Sequence, residues 1–161
     1  NVARIAKGFG MTVKALDPFV KDEVLISEGV EPLHSVEELY SQNDIVSLHI
    51  PATAQTRNSV NKELISLMPK NAILINTARK EVIDEASLAE ALKERTDIKY
   101  ASDIKPANAD ELIAIASRNV FFTPKKSGAQ TSEANINAGI AAAEQVVANL
   151  KDGWNRFQVN K

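Results

Sequence analysis

Arg79, Lys125 and Lys126 each stand just past the point where a short apolar run gives out. Ala72-Ile-Leu-Ile-Asn76 leads into Thr77-Ala78-Arg79, and Val120-Phe121-Phe122 leads through Thr123-Pro124 into the two lysines. A guanidinium is the side chain best shaped to hold a carboxylate or phosphate through two parallel hydrogen bonds. A lysine whose pKa falls from about 10.4, through partial burial or a nearby cation, becomes a general acid or base, and one that stays charged polarises a carbonyl. Taken singly, such cations are ordinary solvated loop residues. Gathered at one sheet edge, they would form an anion site with a proton-transfer group beside it.

Two acids close apolar runs in the same way. Met11 to Leu16 alternates and stops at Asp17-Pro18, and Lys99-Tyr-Ala-Ser-Asp103 ends in an acid close to its tip. An acid closing the second strand of a βαβ unit accepts hydrogen bonds from the ribose hydroxyls of NAD, and its charge repels the 2′-phosphate of NADP. A lone Asp-Pro is otherwise a turn. In such units the glycine-rich phosphate loop lies roughly 20 residues before the acid. Counting back from Asp17 puts that loop upstream of Asn1, so the expectation is a fold lacking its first strand and glycine loop. The helix pattern of Val2, Ile5 and Ala6, ended by Gly8 and Gly10, would then be the one that holds the pyrophosphate.

The remaining elements position these tips. Ser35 followed by Glu38 reads as a capping box opening a short helix with Val36, Leu39 and Tyr40 on its apolar side. Asp44-Ile-Val-Ser-Leu-His-Ile-Pro51 reads as a strand buried on both faces of a parallel sheet, as do the runs at 72–76 and 120–122. His49, near that strand's end, reads as structural before catalytic. Helices are expected over 61–68, from an Asp84 cap through Leu88, Ala91 and Leu92, over 110–117, and along the Ala-rich stretch 132–151. In that last stretch Ile136, Ile140, Ala143, Val147 and Leu150 share one side. Alternation through about five strands argues an α/β, Rossmann-type, doubly wound parallel sheet, whose ligands sit outside the carboxyl ends of the strands. The organisation expected is a partial nucleotide-binding domain over 1–130, then a helix and tail over 131–161 that pack on another domain or subunit.

The bulk numbers exclude more than they assign. The chain has 161 residues, a formal charge of -2, no cysteine and two histidines. Nothing basic enough for nucleic acid or an anionic membrane is present, no run approaches the length of a membrane-spanning helix, and a zinc site lacks its usual ligands.

In this order, Ser47-Leu-His-Ile-Pro51, Asn76-Thr-Ala-Arg79, Asp103 and Thr123-Pro-Lys-Lys-Ser-Gly-Ala129 resemble the D-2-hydroxyacid dehydrogenase family over essentially the whole chain. Asn76-Thr-Ala-Arg-Lys-Glu81, Asn135-Ile-Asn-Ala-Gly139 and Phe157-Gln-Val-Asn-Lys161 narrow the resemblance to its D-3-phosphoglycerate dehydrogenase branch, in the short form without regulatory domains. The resemblance implies that Arg79 binds the substrate carboxylate and that Asp17, with Pro18, takes the adenosine ribose. It also implies that Pro51, Thr77 and Ala78, with His49, surround the nicotinamide half and that Asp103 holds its carboxamide. Most of the family carries a Thr-Pro-His histidine and a nearby glutamate as the proton-transfer pair. Here Lys125 stands at the histidine's place and residues 104–109 contain no glutamate. The branch shares this departure through Thr-Pro-x-Lys-x-Gly-Ala, which gives the role to Lys126, with Lys125 the runner-up.

By the same resemblance the cofactor is NAD, the substrate a small 2-hydroxy or 2-oxo acid, the assembly a homodimer and the location cytoplasmic. The alternatives are another 2-hydroxyacid dehydrogenase of the glyoxylate, hydroxypyruvate or lactate type, and a non-catalytic NAD-sensing scaffold.

Overall fold

The structure, a computed structural model, describes residues 1–124 and 131–156. In chain order the elements are α1 (Val2–Gly8), β1 (Lys14–Ala15), α2 (Asp22–Ser27), β2 (Glu31–Pro32), α3 (Val36–Ser41), β3 (Ile45–Leu48) and α4 (Lys62–Leu67). They continue with β4 (Ile73–Asn76), a 3-10 turn over Lys80–Val82, α5 (Glu85–Glu94), β5 (Lys99–Ser102), α6 (Ala109–Ala116), β6 (Val120–Phe122) and α7 (Ser132–Asp152). The chain divides into two units, Asn1–Pro124 and Lys125–Lys161.

Three helices of the first unit, α3, α4 and α5, begin where the sequence supplies a capping side chain. At α3 the Glu38 N–H donates to Ser35 Oγ at 3.1 Å while the Glu38 carboxylate accepts from the Ser35 N–H at 3.2 Å, the reciprocal capping box. Asn61 and Asp84 cap α4 and α5 by accepting from the Leu64 and Ser87 N–H groups, both at 3.1 Å. Past α1, Gly10 takes a positive φ of 78°, where a side chain would be strained.

In the first unit every strand pair is parallel. β1 pairs with β2, and a separate four-stranded sheet runs in the order β3-β4-β5-β6. Parallel neighbours need crossovers, and α4, α5 and α6 supply them within the larger sheet. One face of that sheet is the core: Val46, Leu48, Leu74 and Tyr100 are buried with Ile65, Leu88, Ala91, Leu92 and Leu112 of the helices.

Three expectations need correction here. The strands at 45–48 and 73–76 are fully buried on one face only, and in 120–122 Val120 and Phe122 are half-buried and Phe121 exposed. Ile45 is 42% and Phe121 64% exposed, while Ile73 and Ile75 are half-buried. β3 and β6 are the edges of their sheet, and the described helices of this unit bury one of its faces. The strand expected over Met11 to Leu16 pairs only at Lys14 and Ala15, against a neighbour whose Glu31 and Leu33 N–H groups donate to the Val13 and Ala15 carbonyls at 3.0 and 2.8 Å. That neighbour and α2 were absent from the sequence reading, so the described strands number six.

In the second unit α7 is capped by Thr131, whose Oγ1 accepts from the Ala134 N–H at 3.1 Å, and is closed by Gly153 at φ +66°. It has no buried residue, and Ile136, Ile140, Val147 and Leu150 are all exposed. No described helix is long and apolar enough to cross a membrane.

Candidate functional site

The register of the larger sheet decides where its polar tips emerge. Leu48 pairs with Asn76, Asn76 with Ser102, and Ser102 with Phe122, so all four strands end level. The residues that follow, His49, Thr77, Asp103 and Thr123, therefore leave the sheet along one edge, where the sequence reading expected a ligand. Arg79 stands two residues beyond Thr77 on the same edge.

A chain of polar contacts holds this edge together. Asn76 is fully buried; its Nδ2 donates to the Arg79 carbonyl at 2.9 Å and its Oδ1 accepts from the Ala78 N–H at 3.0 Å. One side chain thus closes the Thr77–Arg79 turn from within, as short amide side chains do. The buried Ser102 Oγ shares its proton between the carbonyls of Asn76 (3.0 Å) and Ile104 (2.8 Å) and accepts from the Ile104 N–H at 3.2 Å. The Asp103 N–H reaches the Asn76 carbonyl at 3.1 Å. From β6, Thr123 Oγ1 donates toward both the Asp103 carbonyl (3.0 Å) and its Oδ1 (2.9 Å). Beneath them burial pushes the Tyr100 phenol pKa up, so that ring stays neutral.

Arg79 itself is exposed, and among the described residues its guanidinium forms no ion pair; Nη1 donates to the Ala78 carbonyl at 2.8 Å. An exposed fork of donors on a rigid turn suits a carboxylate. His49 is exposed, with Nε2 3.0 Å from Ser47 Oγ on its own strand. Pro51 and Thr77 are exposed and Ala78 is half-buried. Beyond Pro51, Thr53 and Thr56 bond to each other and Thr56 Oγ1 donates to the Pro51 carbonyl, fixing that loop.

Asp17 and Pro18 belong to the smaller sheet's strand end. Asp17 is exposed and its Oδ1 accepts from the Phe19 N–H at 2.9 Å, an Asx turn that fixes the carboxylate while keeping it accessible to sugar hydroxyls. Lys125 and Lys126 lie outside the described residues. The sequence reading did not single out Asn76 or Ser102 as anchors. The available signal was a small polar residue closing each of two apolar runs, but nothing in the sequence says which carbonyl 26 residues away it will meet.

A level parallel sheet edge carrying an acid, a threonine and an exposed arginine on clamped turns is the ligand-binding edge of an α/β nucleotide-binding type of domain. The chain belongs to the D-isomer-specific 2-hydroxyacid dehydrogenases, matching the family's NAD-binding domain over residues 1–126. It is 41% identical over 149 residues to the D-3-phosphoglycerate dehydrogenase of Methanocaldococcus jannaschii, covering 91% of this chain and 28% of that one. To the glyoxylate reductase of Aeropyrum pernix it is 35% identical over 92% of this chain and 44% of the relative. The NAD+-bound 3-phosphoglycerate dehydrogenase of Entamoeba histolytica superposes with a TM-score of 0.85 at 39% identity, over 99% of this chain and 50% of that one. The chain thus spans between about a quarter and a half of the length of these relatives.

Proposed function

We propose that this chain is the cofactor-binding part of an enzyme that oxidises D-3-phosphoglycerate to 3-phosphohydroxypyruvate, the entry step of serine synthesis. The observation that carries the reading is the Arg79 guanidinium, exposed and without a carboxylate partner among the described residues, on a turn closed by the buried Asn76. When bound, NAD supplies the hydride acceptor. Arg79 holds the substrate carboxylate and so orients C2, the carbon that changes oxidation state. Lys126, with Lys125 as second choice, takes the C2 hydroxyl proton during oxidation and returns it during reduction.

Asp17 accepts from the adenosine ribose, beside Pro18. Asp103 accepts from the nicotinamide carboxamide, and its carboxylate is already aimed by Thr123. His49, Pro51, Thr77 and Ala78 form the walls of the nicotinamide half. Residues 131–161 return toward a substrate domain, and the complete enzyme is a cytoplasmic homodimer.

A second reading, turnover of an unphosphorylated 2-oxo acid, is supported by the similarity to a glyoxylate reductase. The test is NADH oxidation by the complete enzyme with phosphohydroxypyruvate against hydroxypyruvate. A clear preference in kcat/KM for the phosphorylated acid supports the proposal, and equal or reversed preference sinks it in favour of the second reading. No NADH oxidation with either acid would favour the scaffold role. In the active enzyme Arg79→Ala should lower kcat/KM by on the order of a hundredfold, with Arg79→Lys between, since lysine keeps the charge and loses the fork.

A further inference from the structure

The loop after β5 is held at its far end by a residue that neither the sequence motifs nor the site roles use. Glu85 opens α5, and both its carboxylate oxygens accept from backbone. The Ala107 N–H lies 3.1 Å from Oε1 and 3.0 Å from Oε2, and the Asn108 N–H 3.3 Å from Oε2. The contact is reciprocal, because Asn108 Nδ2 donates to the Glu85 carbonyl at 2.9 Å.

The Asn108 N–H is one of the unsatisfied donors at the start of α6, Ala107 directly precedes it, and Asn108, that helix's own N-cap residue, makes no side-chain capping bond. Glu85 therefore caps α6 from a neighbouring helix, with its charge at the positive end of the helix dipole. With both oxygens engaged in this way it is a clamp and not a proton carrier.

The consequence falls on Asp103. The segment from Asp103 to Ala107 is pinned at its start by Ser102 and Asn76 and at its end by Glu85. We infer that Glu85 is a positioning residue that fixes the far end of the β5–α6 loop and so, together with Thr123 on Oδ1, keeps the Asp103 carboxylate aimed at the cofactor's carboxamide. This rests on the reading of Asp103 given above. Removing Glu85 leaves Asp103 attached to β5 but frees the chain four residues later, so the loss should be confined to the nicotinamide end of the cofactor.

The experiment uses the complete enzyme and compares its affinity for NADH with that for ADP-ribose, which lacks the nicotinamide. Glu85→Ala should weaken NADH about tenfold, as expected for losing charge-assisted bonds, and leave ADP-ribose within about twofold. Glu85→Gln, which keeps the shape and one acceptor, should fall between and serves where the alanine variant fails to fold. Unchanged NADH binding overturns the inference, and so does an equal loss for both ligands, which would mark a general defect of the fold. Asp103→Ala is measured alongside. If it shifts the NADH to ADP-ribose ratio while neither Glu85 variant does, the clamp alone is wrong; if it leaves the ratio unchanged, the reading of Asp103 fails and takes the inference with it.

Discussion

Asn76 shows how a single side chain sets the chemistry of another. Its amide is satisfied on both sides by the Thr77–Arg79 turn and it has no access to water, so truncation leaves the part-buried Ala78 N–H without its acceptor and the Arg79 carbonyl with only the Val82 N–H at 3.4 Å. Asn76→Ala should cost about 1–3 kcal/mol of stability. In the complete enzyme it should also raise KM for the 2-oxo acid more than KM for NADH, because the loosened turn carries Arg79. Melting temperature and the two KM values check this, and a fall in stability with unchanged substrate KM would separate Asn76 from Arg79. For the lysines, the expectation is that Lys126→Ala removes most of the hydride-transfer rate while Lys125→Ala leaves more of it. Single-turnover kinetics decide, and a normal rate in Lys126→Ala would return the proton-transfer role to its neighbour or to another group.

Between elements, the strongest staple is the one that Arg95 and Asp97 make where α5 ends. Arg95 Nε and Nη2 donate to the two Asp97 oxygens at 2.9 and 2.8 Å, and its remaining donors reach the carbonyls of Ser66, Met68 and Pro69 at the close of α4. Asp97 in turn accepts from the Asn71 N–H at 2.9 Å. The Arg95 guanidinium, then this N–H, hold the Asp97 carboxyl well below the usual carboxylate range. A folded-state pKa below the unfolded one means that the contribution is complete above about pH 4, the ordinary unfolded value, and is lost as pH falls toward the depressed folded value. Asp97→Asn should therefore lower stability by about 1–2 kcal/mol at neutral pH and by progressively less as pH falls below about 4, a trend that urea titrations across the acid range would register. Such staples were not legible in the sequence. Caps at Ser35 and Asp84 were, because their partners lie three residues away on the same chain segment. Strand existence was legible at 45–48, 73–76, 99–102 and 120–122 from apolar runs with polar tips. Which strands lie at an edge was not, since that depends on which neighbours assemble, and so Ile45 and Phe121 were expected to be buried. The β2 strand, two residues long and ending in Pro32, carries too little pattern to be read at all.

Along the whole chain, the buried apolar residues among those described lie between Val30 and Leu112, and α1 and β1 contribute none. Val2, Ile5, Phe9, Met11 and Phe19 are all exposed. Asp17, proposed above for the ribose, thus stands just past a two-residue strand next to weakly packed chain, whereas the groups proposed for the nicotinamide side stand on a four-stranded sheet with a continuous core. Among the described residues no glycine-rich turn leads from a strand into a helix N-terminus, the arrangement whose backbone N–H groups hold a pyrophosphate. On the proposed roles, the described residues would meet a dinucleotide at its two ends and not at the central pyrophosphate that carries most of its charge. The 161-residue chain by itself is therefore expected to bind NAD with a dissociation constant near the millimolar range, about −4 kcal/mol, and to show no turnover. Titration calorimetry measures the first and NADH absorbance the second. Micromolar binding would mean that the phosphates are held by groups other than a glycine loop, and the edge from His49 to Thr123 would then have to supply far more of the affinity than its exposed side chains suggest.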